Sequence, residues 1–500
     1  MSTESTYREL VSDLIRIDRL SSIFGLLGWD EQVNLPIASA SRRAEELAVL
    51  SEVIHRESTC GKIGSRLDEL EQNADQLEFP ERAVVREARR QYDRATKIPA
   101  EFVARKTTLA SESFHAWVNA RENSDFSVSR PHLNTQLQLA REEAGYLGFS
   151  GEAAYDYHID QHAPGLSAAV IEPLFSRLNT ATVSLLQQIL QSTGKADTSI
   201  FKGFPEDTQE SFLRAVTGSI GFDYTRGRID RAVHPFCSGN GADTRMTTRF
   251  NVDNPLDSLF SSIHETGHGL YEQGLPMEHH GTSLGTAAGM AVHESQSRLW
   301  ENQVGRSRPF WEYWEERLRT AFPEQLKQVS SHKLYLAINA VRPNLIRVDA
   351  DEVTYNLHII IRFDLERRMF SGDLNVGDLP GAWNEAVRER LGITPETDAE
   401  GCLQDVHWSG GAFGYFPSYS LGNMIAAQLW YTLRDDLPGL DDDFRIGKYD
   451  RLLAWLRDKV HLQGRQFNAL ELTRRVTGSE LSPDPLIRYL KERYLPLYAG

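Results

Sequence analysis

The sequence predicts a mainly α-helical protein with one small antiparallel sheet, and three observations predict it. Apolar residues recur at helical spacing through nearly all of the first 200 residues. One segment near the middle alternates instead and carries two adjacent threonines, Thr247 and Thr248. Directly after it, an amphipathic stretch holds His264-Glu265-Thr266-Gly267-His268, an H-E-x-x-H pattern.

Residues 7–30 read as a helix whose stripe is Leu10, Leu14, Ile17, Ile23, Phe24 and Leu27, with Pro36 as a stop signal beyond Trp29-Asp30. Residues 39–56 form a second, with a serine at 39 or 41 available as its cap. Residues 81–97 and 100–122 are long charged helices split by Pro99. Residues 130–148 and 167–193 continue the pattern around a Pro164-Gly165 loop. No linker or internal repeat interrupts this region. Tyr224–Val233 alternates imperfectly, Cys237–Ala242 reads as a turn, and Asp243–Phe250 reads as a strand, so a hairpin is expected here. Such a strand can bind an extended peptide as one more strand.

Leu256, Leu259, Phe260, Ile263 and Leu270 give the His-rich stretch a helical face; Asp253 or Asn254 can cap it, and Pro255 suits its first turn. Residues 274–288 are a loop, and helices follow at 289–304 and 308–322. Residues 352–370 are apolar enough for strand or helix; their length and the acidic start Asp349–Glu352 favour helix. Residues 401–420 are rich in glycine and aromatics, and helices at 421–434, 447–460 and 483–495 close the chain. One catalytic unit over 1–500 is expected, with residues 1–200 as one helical cleft wall and residues 201–500 as the metal-binding part.

Composition narrows the function. A net charge of −16 disfavours nucleic acid or an anionic membrane as the main partner. Cys60, Cys237 and Cys402 are odd in number and far apart, which is no disulfide framework and fits a reducing compartment. The N-terminal stretch lacks the apolar core of a secretory signal, and no apolar run approaches 18 residues. A cytoplasmic enzyme is the expectation.

On a helix, His264 and His268 project from one face, a turn apart. Two imidazoles so placed can grip one Zn²⁺ at about 2.0–2.1 Å each. Glu265 can then reach a water on the metal and take its proton. A catalytic site needs a third protein ligand and one open position. The helix carrying His293 and Glu294 supplies it, Glu294 lying 26 residues after His268; by chemistry alone either residue can ligate. Gly267, mid-helix, costs about 1 kcal/mol relative to alanine, which implies that something packs closely there.

At this point the motifs carry a resemblance. His234-Pro235-Phe236, the D-x-R-x-T of Asp243, Arg245 and Thr247, HETGH at 264–268, HESQ at 293–296, the I-R-x-x-A-D of Ile346, Arg347, Ala350 and Asp351, and the G-x-x-Q-D-x-H-W of Gly401, Gln404, Asp405, His407 and Trp408 follow in order. With Trp29-Asp30 and Gly414–Pro417, the chain resembles the carboxypeptidase Taq family of gluzincin metallocarboxypeptidases from about residue 10 onward. Asn34-Leu35-Pro36 is more polar than that family's usual turn. The resemblance implies a large helical zincin-like fold with a deep cleft, a small sheet beside it and a homodimer. It implies the ligand set His264, His268 and Glu294, with Glu265 as the catalytic carboxylate. It also implies removal of single residues from peptide C-termini with broad specificity, using Zn²⁺, for which Co²⁺ or Mn²⁺ substitutes.

The remaining roles have competing readings. Tyr415 and His407 are candidates to stabilise a tetrahedral intermediate, against simple aromatic packing. Arg347, and after it Arg245, is a candidate to hold a substrate α-carboxylate, against an internal salt bridge to Asp243, Asp349 or Asp351. Asp243, Asp351 and Asp405 are candidates to orient the histidine ligands. His293 is expected to face partly away from the metal. A metallo-oligopeptidase or dipeptidyl carboxypeptidase is the alternative activity; a non-catalytic peptide-binding scaffold is disfavoured by the intact Glu265.

Overall fold

The computed structural model describes residues 2–499. The chain forms two compact units, each assembled from three segments. One comprises Met1–Thr96, Thr198–Ile338 and Leu429–Glu480; the other comprises Lys97–Asp197, Asn339–Gln428 and Leu481–Gly500. The first 200 residues are therefore shared between both units.

In the first unit, the helix Thr3–Val33 packs against Ala40–Ser58 and Gly61–Gln72. Leu10, Ile63, Leu67, Leu70, Leu77, Val85 and Ala88 form the shared apolar core of this region. The sheet has three strands, β1 (Gly227–Arg231), β2 (Phe236–Asn240) and β3 (Asp243–Thr248), in the order β1-β3-β2. The two arms expected to form an antiparallel hairpin, Tyr224–Val233 and Asp243–Phe250, contain β1 and β3 and pair in parallel; the antiparallel hairpin is made by β2 and β3 instead, so the sheet is mixed and not antiparallel throughout. β2 also occupies most of the segment expected to be a turn. The turn itself is shorter: Asn240 Oδ1 accepts from the backbone N–H groups of Ala242 and Asp243, closing it locally.

The helix Pro255–Gly274 packs on β2, β3 and the helix Glu206–Ser219. Asn254 occupies its N-cap position without a capping side-chain bond, and Asp253 instead accepts from Gly203 N–H. Its neighbour on the other side is the helix Met290–Arg298, which runs on as a π-helix over Leu299–Val304. Contact is close at Gly267. A Cβ there would lie 2.5 Å from Ser297 Cα and 2.7 Å from Gln296 O.

In the second unit, the helix Tyr355–Ser371 is buried on nearly every side, including Ile359, Ile360, Ile361 and Phe363. That burial explains a sequence apolar enough to suggest a strand. Ala100–Asn123, Phe126–Tyr146, Ala153–His162 and Ala168–Gln191 complete much of this unit. Sequence periodicity does not announce Gly61–Gln72, Ala153–His162 or Glu206–Ser219, which are short or strongly polar. Among the described residues, no helix is long and apolar enough to cross a membrane.

The contact at Gly267 makes a signed prediction. In an open helix, Gly→Ala stabilises by about 1 kcal/mol. Here Gly267→Ala must push the helix Met290–Arg298 away, and is expected to destabilise by about 1–3 kcal/mol. Thermal unfolding measures it; a raised midpoint contradicts the packing described.

Candidate active site

The α-helical spacing of His264 and His268 directs both Nε2 atoms to one place, and the helix Met290–Arg298 brings Glu294 to meet them. Glu294 Oε2 lies 3.6 Å from His264 Nε2 and 3.5 Å from His268 Nε2. Among the described residues these three are the group of metal-ligating side chains that converges, with ligand atoms within 4.8 Å of one another. Tetrahedral ligands at about 2.0–2.2 Å from a zinc-sized ion sit roughly 3.3–3.6 Å apart. The two-nitrogen, one-oxygen set therefore fits a divalent metal in spacing and chemistry, and it leaves a fourth position open. His293 is not among the converging donors.

Glu294 is 2% exposed. Burial alone would raise its carboxyl, but Arg298, His264 and His268 outweigh burial and hold it far below the usual carboxylate range. Arg298 Nε donates to Glu294 Oε1 at 2.7 Å, and so leaves Oε2 to face the histidines. Burial lowers His268 to about 3, favouring the neutral ring that a metal needs. Glu265 is buried beside these groups and has no ion pair among the described residues. Burial pushes its carboxyl up to about 7, with the Glu294 and Glu301 carboxylates adding to the shift and His264 and His293 opposing it.

The groups behind the histidines differ from expectation. His264 Nδ1 donates to Glu301 Oε2 at 2.9 Å. Glu301 sits in the π-helical turn and is held by Arg298 at 3.1 Å and Arg306 at 3.4 Å. Burial alone would raise Glu301, but Arg298, His264 and Arg306 bring it down to about 2. His268 Nδ1 contacts His293 Nδ1, and His293 Nε2 lies 2.8 Å from Glu272 Oε1. Glu301 and Glu272 carry no motif signal; a carboxylate seven residues after Glu294, on the same helical face, was the available hint for Glu301. None of Asp243, Asp351 and Asp405 is hydrogen-bonded to His264 or His268. Asp243 pairs with Arg245, Asp351 accepts from Arg342, Val353 and Thr354, and Asp405 pairs with arginines.

The other named residues gather in the second unit, except Arg245. Arg347 donates to Asp405 Oδ1 from Nε at 3.0 Å and Nη2 at 2.8 Å. Arg362, fully buried, donates to Asp405 Oδ2 from Nε at 2.7 Å. Arg347 Nη1 faces Tyr355 Oη at 3.4 Å, and Gln404 Oε1 accepts from Arg347 N. Two guanidinium groups thus share one carboxylate, and the cluster keeps a net positive charge. The His407 ring lies 4.7 Å from Phe416 and 5.6 Å from Tyr415. Burial lowers His407 to about 4, with Arg347 and Arg362 adding to the shift and Asp405 opposing it. Tyr415 meets His162 edge-on at 4.9 Å. In the first unit, Arg245 is paired with Asp243 at 2.9 Å and lies over the Trp29 ring at 4.3 Å.

A buried carboxylate that the sequence did not flag secures the loop carrying His407 and Tyr415. Glu366 accepts from Trp408 Nε1 at 2.6 Å, Tyr155 Oη at 2.7 Å and Gly414 N at 2.9 Å. Gly414 has φ +70°, and a Cβ there would lie 2.5 Å from the His158 backbone, so only glycine fits.

An H-E-x-x-H helix joined by a glutamate from a neighbouring helix defines a gluzincin-type metallopeptidase site. The family model described as Carboxypeptidase Taq (M32) metallopeptidase matches residues 9–494, and the chain belongs to that family. It is therefore a metal-dependent carboxypeptidase that acts on peptides. Carboxypeptidase 1 of Bacillus subtilis (strain 168) is 38% identical over 496 residues, 99% of each chain. Thermostable carboxypeptidase 1 of Thermus thermophilus is 39% identical over 510 residues, covering 100% of both. Among solved structures, the M32 carboxypeptidase from Deinococcus radiodurans R1 superposes with a TM-score of 0.96 at 39% identity, covering 99% of this chain and 100% of that one.

Glu366 yields a pH prediction. Burial raises its pKa from 4.5 to about 7, against its hydrogen-bond donors and Arg362. Between those values the folded state keeps a proton that the unfolded chain has released, so this contribution to stability falls as pH rises from about 4.5 to about 7. Glu366→Gln is expected to flatten that part of the curve of unfolding midpoint against pH. An unchanged slope contradicts the assignment.

Proposed function

We propose that the protein removes single amino acids from peptide C-termini with broad specificity, using one Zn²⁺ held by His264, His268 and Glu294. Co²⁺ or Mn²⁺ is expected to substitute. The observation that carries this reading is the convergence of His264 Nε2, His268 Nε2 and Glu294 Oε2 beside the buried Glu265. A divalent metal bound there supplies Lewis acidity, which polarises a scissile carbonyl and makes water more acidic. Glu265 takes the water's proton and delivers it to the leaving amine. Its elevated pKa supports this, because a base must also serve as the acid of the second step.

Arg347 is assigned to the substrate's α-carboxylate, with Arg245 as the second choice. The net positive charge of the Arg347–Asp405–Arg362 cluster supports Arg347, since a buried cluster with one unneutralised cation favours an anion. Arg245 has a carboxylate of its own one to one. His407 and Tyr415 are assigned to the tetrahedral intermediate. The low pKa of His407 leaves it a neutral N–H donor at working pH. These roles rest on the motifs and on geometry within the second unit. A homodimer follows from the family resemblance, and a cytoplasmic location is supported by the three free cysteines.

Two measurements test the reading. A blocked dipeptide with a free C-terminus is expected to release its last residue, and a chelator to stop it; its C-terminal amide is expected to resist. Rapid cleavage of amidated peptides supports an oligopeptidase instead. Glu265→Gln is expected to lower kcat by about 10²–10⁴ while retaining the metal. Full activity in that variant removes Glu265 from its role.

A further inference from the structure

His293 stands next to the ligand Glu294 but is directed elsewhere, as helix neighbours diverge by about 100°. Its ring spans between His268 and Glu272, which lie one turn apart on the helix Pro255–Gly274. His293 Nδ1 contacts His268 Nδ1, and His293 Nε2 lies 2.8 Å from Glu272 Oε1. Tyr271 packs against the ring with centroids 5.2 Å apart.

The hydrogen-bonding capacities of these groups assign the protons. A carboxylate oxygen is the accepting side of such a pair, so His293 Nε2 carries the proton between them. With that proton alone on the ring, His293 Nδ1 is an acceptor. The nitrogen facing it, His268 Nδ1, must be the donor. That leaves His268 Nε2 with a free lone pair, pointing to Glu294 Oε2 at 3.5 Å. Each proton has one place, and the order ends in the tautomer that a metal ligand at Nε2 requires.

We propose that His293 is a positioning residue for His268, fixing its tautomer and ring orientation, with Glu272 fixing His293 in turn. This rests on the reading of His264, His268 and Glu294 as ligands. The two histidine ligands are then held by different means. His264 leans directly on a carboxylate, Glu301, whereas His268 leans on the His293 imidazole, which separates it from the Glu272 carboxylate. Partners behind a metal ligand typically change metal affinity by about 10–100-fold when removed.

The test measures the Zn²⁺ dissociation constant by competition with a chromophoric chelator, together with the visible spectrum of the Co²⁺-loaded protein. His293→Leu keeps the bulk and removes the acceptor; affinity is expected to fall by about 10–100-fold with an altered cobalt spectrum. His293→Gln can accept from His268 and donate to Glu272, and is expected to restore most of the affinity and the parental spectrum. Glu272→Ala, at a partly exposed position, is expected to weaken binding by a smaller factor. Parental affinity and spectrum in His293→Leu overturn the proposal, as does a His293→Gln variant no better than His293→Leu. If His293→Leu does not fold, parental affinity in Glu272→Ala overturns it. His268→Ala separates the two levels: undiminished metal binding there refutes the ligand reading itself, whereas lost binding there with a silent His293→Leu refutes only the positioning role.

Discussion

The structure depends on one close approach, between the helix Pro255–Gly274 and the helix Met290–Arg298 at Gly267. The histidines sit on one helix and Glu294 on the other. The distance between the two axes therefore sets whether three donors converge. A side chain at position 267 would hold Ser297 and Gln296 away, and Glu294 is on the same helix, three residues before Ser297. The conformational cost of a mid-helix glycine, about 1 kcal/mol, is small beside a ligand set that fails to close.

The second helix gives the approach its chemistry. Glu294, Arg298 and Glu301 recur on one face, so a cation lies between two carboxylates. Arg298 keeps both ionised in a buried setting, where an unpaired carboxylate would take up a proton instead. One carboxylate faces the Nε2 atoms of His264 and His268, and the other faces the back of His264. Glu265 lacks such a cation, and burial raises it towards neutral pH. Neighbouring carboxylates thus acquire different roles from their partners alone: a permanent anion where Arg298 reaches, a group able to exchange a proton where it does not.

Much of this was legible in the chain, for identifiable reasons. The HETGH helix, its apolar face and the helix bearing Glu294 follow from local spacing, and Gly267 pointed to a close neighbour without naming it. That Glu294 and not His293 converges on the two Nε2 atoms needed coordinates, because adjacent residues on a helix look alike in sequence. Glu301 was hidden because nothing in Leu299–Val304 marks a π-helical turn, and Glu272 because a surface-type glutamate one turn after a ligand is ordinary. Three aspartates seemed able to orient the histidines; nearby arginines and backbone N–H groups claim them instead. β2 was hidden because Cys237–Asn240 reads as a turn, and the parallel pairing of β1 was hidden in the path of the chain through β2 to β3. The pairing of Arg347 with Asp405 joins residues 58 apart, a separation at which sequence reading lists partners but cannot choose among them.

The central claim, that His264, His268 and Glu294 form one open metal site, is tested most directly by crystallographic anomalous scattering from protein loaded with Zn²⁺ or Co²⁺. A single peak is expected at about 2.0–2.2 Å from His264 Nε2, His268 Nε2 and a Glu294 carboxylate oxygen, with His293 outside the coordination sphere. A peak liganded by His293 in place of Glu294, or located away from these helices, contradicts it.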